Sequence, residues 1–127
     1  MLDGELAEIV ADLRALGGDI ADVEVKTSRT ELPKSTRETL SAFANTHGGV
    51  LILGLDETKG FAPTGVRDPA KLAGDLASLC STDMEPALRP LIRVHDFEGS
   101  KIIVGRGPGG RSEPTAVFLQ GRGNDAR

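Results

Sequence analysis

The 127-residue chain fits one domain, long enough to bury roughly two-thirds of its unfolded surface and to fold without disulfides. Its single cysteine, Cys80, excludes an internal bridge or a zinc site built from cysteines, and no run nears the roughly 20 apolar residues of a membrane span. A net charge of −4, a pI near 5.1, no Trp or Tyr and only four Phe argue against a constitutive tight nucleic-acid binder and against an aromatic platform for stacking bases.

The N-terminus, MLDGELAEIVADLRAL, carries acids where a signal peptide needs Lys or Arg, so a soluble, cytoplasmic protein is expected. The weight of Ala, Gly, Asp and Arg suggests a GC-rich bacterium. Leu6, Ile9, Val10, Leu13 and Leu16 recur at helical spacing, and Gly17–Gly18 stops that helix. Its polar face is acidic, which predicts a helix on the outside of the fold. Residues 19–27 lead into a short strand with Val23 and Val25 on one face and Glu24 and Lys26 on the other.

After a connector with Pro33, Ser35–Thr46 reads as a helix with a stripe of Leu40, Phe43, Ala44 and His47, ended by Gly48–Gly49. Residues 50–55, VLILGL, form a continuous apolar run suited to a central strand buried on both faces. Asp56–Gly60 is a turn and Phe61–Val66 a short return strand. Asp68 then caps a helix whose stripe is Leu72, Leu76, Leu79 and Cys80. Met84–Pro90 is irregular, and 91–98 with 101–106 form a hairpin around Gly99-Ser100. Gly105–Pro114 reads as a flexible loop and Thr115–Gln120 as a last strand. The whole is a mixed α/β fold, helices packed on a mixed β-sheet, in one domain over residues 1–127. The ending GRGNDAR lacks a closing element, which suggests a piece of a longer protein.

Charge is unevenly spread. Residues 1–24 hold Asp3, Glu5, Glu8, Asp12, Asp19, Asp22 and Glu24 against Arg14 alone. Residues 26–37 reverse the sign with Lys26, Arg29, Lys34 and Arg37 against Glu31, and from residue 89 seven cations face four acids. A phosphate-facing patch and a merely solvated face both account for the basic run.

Val23-Glu24-Val25-Lys26, followed by Ser41-Ala42-Phe43-Ala44-Asn45-Thr46-His47-Gly48-Gly49 and a buried strand closing in Gly54-Leu55-Asp56, resembles the signature of the Schlafen/AlbA-like family. Thr64-Gly65-Val66 is similar to that family's Gly-containing turn, and Gln120-Gly121-Arg122-Gly123 to its Gly-Arg-Gly segment. The resemblance covers about residues 17–123. It implies a nucleic-acid-binding domain of a bacterial transcriptional regulator, with DNA or RNA as partner, as a monomer or a homodimer. Lys26, Arg29, Lys34, Arg37, Arg106 and Arg111 are the candidate phosphate contacts.

The animal relatives imply an alternative, a metal-dependent endoribonuclease. Carried over, its carboxylates fall on Glu24, Asp56 and Asp19, the last one methylene shorter than the family's Glu. Such a set suits Mg²⁺ or Mn²⁺, which take oxygen ligands and activate water against a phosphate. The plainer alternative pairs Glu24 with Lys26 and has Asp56 cap a turn. No Gly-x-x-x-x-Gly-Lys-Ser/Thr pattern exists, so a Walker-type ATP site is not expected. A third reading is a protein–protein or oligomerisation domain, which the acidic balance favours. The binding module is preferred, because the Glu-to-Asp change and the net charge count against efficient RNA cleavage.

Overall fold

Leu6, Val10 and Leu13 meet the sheet in the computed structural model, which describes residues 3–18, 20, 22–46, 48–83 and 89–108. They form the inner stripe of helix α1 (Asp3–Leu16), and Glu5, Glu8 and Asp12 are exposed on its outer side, as its pattern predicts. The remaining elements are β1 (Val23–Lys26), α2 (Thr36–Ala44), β2 (Gly48–Leu53), β3 (Leu55–Asp56), β4 (Ala62–Pro63), α3 (Pro69–Ser78), β5 (Leu91–Phe97) and β6 (Ser100–Pro108). A four-stranded sheet has the order β1-β2-β6-β5. In it β1 runs parallel to β2, and the other pairings are antiparallel. This is the mixed sheet with packed helices that the element pattern predicts. β3 and β4 make a separate two-stranded ribbon.

Alternation along the strands divides the core in two. Val23, Val25, Val50, Ile52, Ile102 and Val104 share one face with α1, Phe61 and Phe97. Leu51, Leu53 and Ile103 point to the other face, against Leu40 of α2 and Leu72 and Leu76 of α3. Leu51, Ile52 and Leu53 are fully buried, because β2 lies between β1 and β6 with helices on both sides. That is why the run carries no polar alternation.

The structure differs from the expected pattern at several places, the first being Leu16, expected in the apolar stripe of α1 but 70% exposed. The strand expected over 50–55 breaks at Gly54, whose φ of +109° is open to glycine but strained for other residues. The Gly48–Gly49 pair belongs to β2 rather than to a turn, pairing with Pro108 and Gly107. Gly49 lacks a Cβ that would stand 2.5 Å from the Phe43 ring, so glycine permits this close packing of α2 on β2. The return strand over 61–66 shortens to Ala62–Pro63. Residues 107–108, expected in a loop, extend β6 beyond the strand expected over 101–106, since Gly107 and Pro108 pair with Gly49 and Gly48 of β2. The expected strand at 115–120, most of the irregular passage before β5, and the Gly121–Gly123 segment lie outside the described residues.

Asp68 caps α3 as expected, its carboxylate accepting the Lys71 N–H at 3.2 Å. Cys80 follows α3 in a π-helical turn (Leu79–Asp83) and is fully buried. Loss of hydration pushes its thiol up to about 11. It is a small core hydrophobe. Arg14 ties the α1 face together: its guanidinium donates to both carboxylate oxygens of Glu98, to the carbonyls of Gly60 and Phe61, and lies over the Phe97 ring. No helix among the described residues is long and apolar enough to cross a membrane.

Candidate nucleic-acid interface

Since Val23 and Val25 face α1, Glu24 and Lys26 face the α2 side of the sheet. The Lys26 side chain is only 12% exposed, and its Nζ donates to Ser35 Oγ at 2.9 Å with Glu24 Oε2 at 3.7 Å. Ser35 stands at the start of α2 and makes no capping bond with its side chain. The Lys26–Ser35 bond instead fastens the connector, residues 27–35, to β1. Lys26 is thus a buttress beneath the basic run.

Above it, Lys34 and Arg37 line one cavity of about 430 Å³ together with Leu32, Pro33, Glu38 and Leu79. Lys34 and Arg37 are exposed, one just before α2 and one in its first turn. Arg29 lies in the same connector, and its carbonyl accepts the Arg67 N–H at 2.8 Å. This brings Arg67, an exposed cation from the segment before α3, beside the run. Nothing in the local pattern around Arg67 signals this, because the contact spans 38 residues of chain (67 minus 29). Lys71 is also nearby, but Asp75 holds it at 2.9 Å. That bond raises the Lys71 pKa, with Asp68 and Glu31 adding to it.

Arg106 falls elsewhere. It pairs in register with Val50 on the α1 face, and its guanidinium lies 3.9 Å from Glu5. Arg111 lies outside the described residues. The connector and the start of α2 therefore gather Arg29, Lys34 and Arg37, with Lys26 beneath them, and leave Arg106 across the sheet.

Asp56 ends β3 and caps the short 3₁₀ turn over Glu57–Lys59. Its Oδ1 accepts the Thr58 hydroxyl at 2.6 Å and the Thr58 N–H at 2.9 Å. The Thr58 hydroxyl, then its N–H and the Lys59 charge, hold the Asp56 carboxyl below its ordinary range. Glu24 keeps its ion pair with Lys26. Among the described residues no three acids, histidines or cysteines come together as a metal would need. Glu24 and Asp56 alone do not make the three-carboxylate set, and Asp19 lies outside the described residues. His47 does also, and His95 is buried on β5.

Comparison with known proteins adds a family. The model described as "Schlafen, AlbA_2" matches residues 19–120. The chain is similar to the solution structure of the N-terminal domain of a RecG-related protein from Nitrosomonas europaea. The identity is 30% and the TM-score 0.69, covering 94% of this chain and 83% of that one. The DIP2311 protein from Corynebacterium diphtheriae is similar at 16% identity and a TM-score of 0.45, over 84% of this chain and 27% of that one. No curated protein matches.

Proposed function

Because this chain belongs to the Schlafen, AlbA_2 family, we propose that it is a nucleic-acid-binding domain whose phosphate contacts lie at the connector between β1 and α2. The observation that carries this reading is the joint placement of Lys34 and Arg37 on one cavity at the start of α2. Arg29 and Arg67 add charge beside them, and the Lys26–Ser35 bond holds the backbone that presents them. Two kinds of hydrogen-bond donor to a phosphate coincide at such a place. Cationic side chains neutralise the phosphate, and N–H groups at the helix start lie along the favourable end of its dipole.

DNA is the partner we favour. The 30% identical domain from Nitrosomonas europaea belongs to a protein whose name relates it to an ATP-dependent DNA helicase. Serving a transcriptional regulator is the biological role that fits a small binding module. The acidic total charge of −4 makes such binding weak and salt-sensitive, suited to a domain that adds affinity to other contacts.

Gel-shift titrations of duplex DNA, single-stranded DNA and transfer RNA across a salt series test the reading, with Mn²⁺ or EDTA present. The double variant Lys34→Glu/Arg37→Glu should weaken binding about ten- to a hundredfold at low salt and flatten the log–log salt slope by about two. Unchanged affinity in that variant would remove the connector from the interface. Metal-dependent cuts that vanish in Asp56→Ala would replace the binding module by a nuclease.

A further inference from the structure

Phosphate binding uses only part of the cavity beside α2. Cations alone suffice for a sugar–phosphate backbone, yet half of this lining is apolar: Leu32, Pro33 and Leu79. Leu32 and Leu79 also pack against the core cluster beneath α2 and α3, so the apolar floor is anchored. Glu38 adds an acid next to Lys34 and Arg37, where a purely phosphate-binding surface gains nothing from negative charge. The cavity is broadly open to solvent, and its volume of about 430 Å³ leaves room for more than a single phosphate.

A base stacked within a duplex offers nothing to fill an apolar floor. A base freed from the stack does, because its two faces are apolar and its edge is polar. We propose that this cavity takes one unstacked nucleobase of a single strand. The base lies against Leu32, Pro33 and Leu79, its amino edge meets Glu38, and the adjoining phosphate meets Lys34 and Arg37. Aliphatic walls here serve in place of the aromatic rings that the composition lacks. The Glu38 carboxylate accepts hydrogen bonds only, so it favours a base with an exocyclic amino group there, such as cytosine. Thymine presents a carbonyl oxygen at the same place and is repelled. The inference rests on the nucleic-acid reading above and adds strandedness and base preference to it.

Fluorescence anisotropy on labelled oligo-dC, oligo-dT and a mixed duplex of equal length, at one salt concentration, tests it. Oligo-dC should bind about tenfold more tightly than oligo-dT, and both more tightly than the duplex. Glu38→Gln, an exposed change on the helix surface, should bring oligo-dC and oligo-dT close to parity, since the amide both donates and accepts. Leu32→Ala, checked for folding by its melting curve, should lower the ratio of single-strand to duplex affinity. Equal affinity for oligo-dC and oligo-dT, or a preference untouched by Glu38→Gln, would overturn the base pocket while leaving the binding domain in place. Failure of every oligonucleotide and duplex to bind would overturn both.

Discussion

The two faces of the central sheet are covered differently, one sealed by a single helix and the other left with a cavity at its edge. On one face α1 seals the core with Leu6, Val10 and Leu13, and Arg14 clamps the β3–β4 and β5–β6 turns to its last turn. Its outer surface carries Glu5, Glu8 and Asp12, which repel phosphate. On the other face α2 and α3 cover Leu51, Leu53 and Ile103, but the connector before α2 leaves a cavity rimmed by Lys34 and Arg37. One sheet thus offers a sealed side with an acidic helix surface and an opened side whose cavity carries Lys34 and Arg37. An acidic protein can hold a phosphate-facing patch because fields at its surface are screened beyond about 8–10 Å in physiological salt.

The largest expected effect tests whether the two cores are equally tight. Leu13→Ala beneath α1 and Leu76→Ala beneath α3 should each cost about 2–5 kcal/mol, since each deletes a fully covered side chain. Urea denaturation measures both. A much smaller loss for Leu76→Ala would mean that the opened side yields and refills the space.

Charge gives the next contrast. Neutralising the α1 surface with Glu8→Gln/Asp12→Asn should change duplex affinity by less than about threefold, far less than reversing Lys34 and Arg37. An equal response to both double variants would replace the local patch with a whole-molecule charge effect.

Thiol labelling probes the closure of the opened side near α3. Burial raises the Cys80 thiol to about 11, so at neutral pH it should react with a disulfide reagent only as the protein unfolds. Rapid labelling of the native protein would show that the π-helical turn after α3 opens readily.

The smallest effect lies in the turn after β3. The Asp56 carboxyl is held below its unfolded value by Thr58, so its contribution is present above about pH 4 and fades as pH falls through the folded value. Thr58→Ala should lower Tm slightly at pH 7. That difference should shrink on acidification, as followed by melting curves between pH 7 and pH 2. A difference independent of pH would assign the effect to the hydroxyl's packing.

Much of the fold is legible in residue order. Alternation in Val23-Glu24-Val25-Lys26 places two residues on each face, and the unbroken apolar run at 50–53 marks the central strand, because side-chain period reports burial directly. The Asp68-Pro69 start of α3 is readable for a similar reason: the cap bond joins residues only three apart. The break at Gly54 and the extension of β6 to Pro108 are less legible. Glycine serves turns and strands alike, and only the partner strands decide which.

The candidate interface divides in the same way. The sequence by itself determined the basic run at residues 26–37, the acidic character of α1 and the shared strand face of Glu24 and Lys26, since these depend on neighbours in the chain. Only the tertiary structure decided that Lys26 lies beneath the run, that Arg106 stands across the sheet beside Glu5, and that Arg67 joins Arg29. It also decided that Leu79, from the turn after α3, completes the cavity around Lys34 and Arg37. The physical reason is range: local pattern fixes which way a side chain points, whereas its company depends on how distant elements pack.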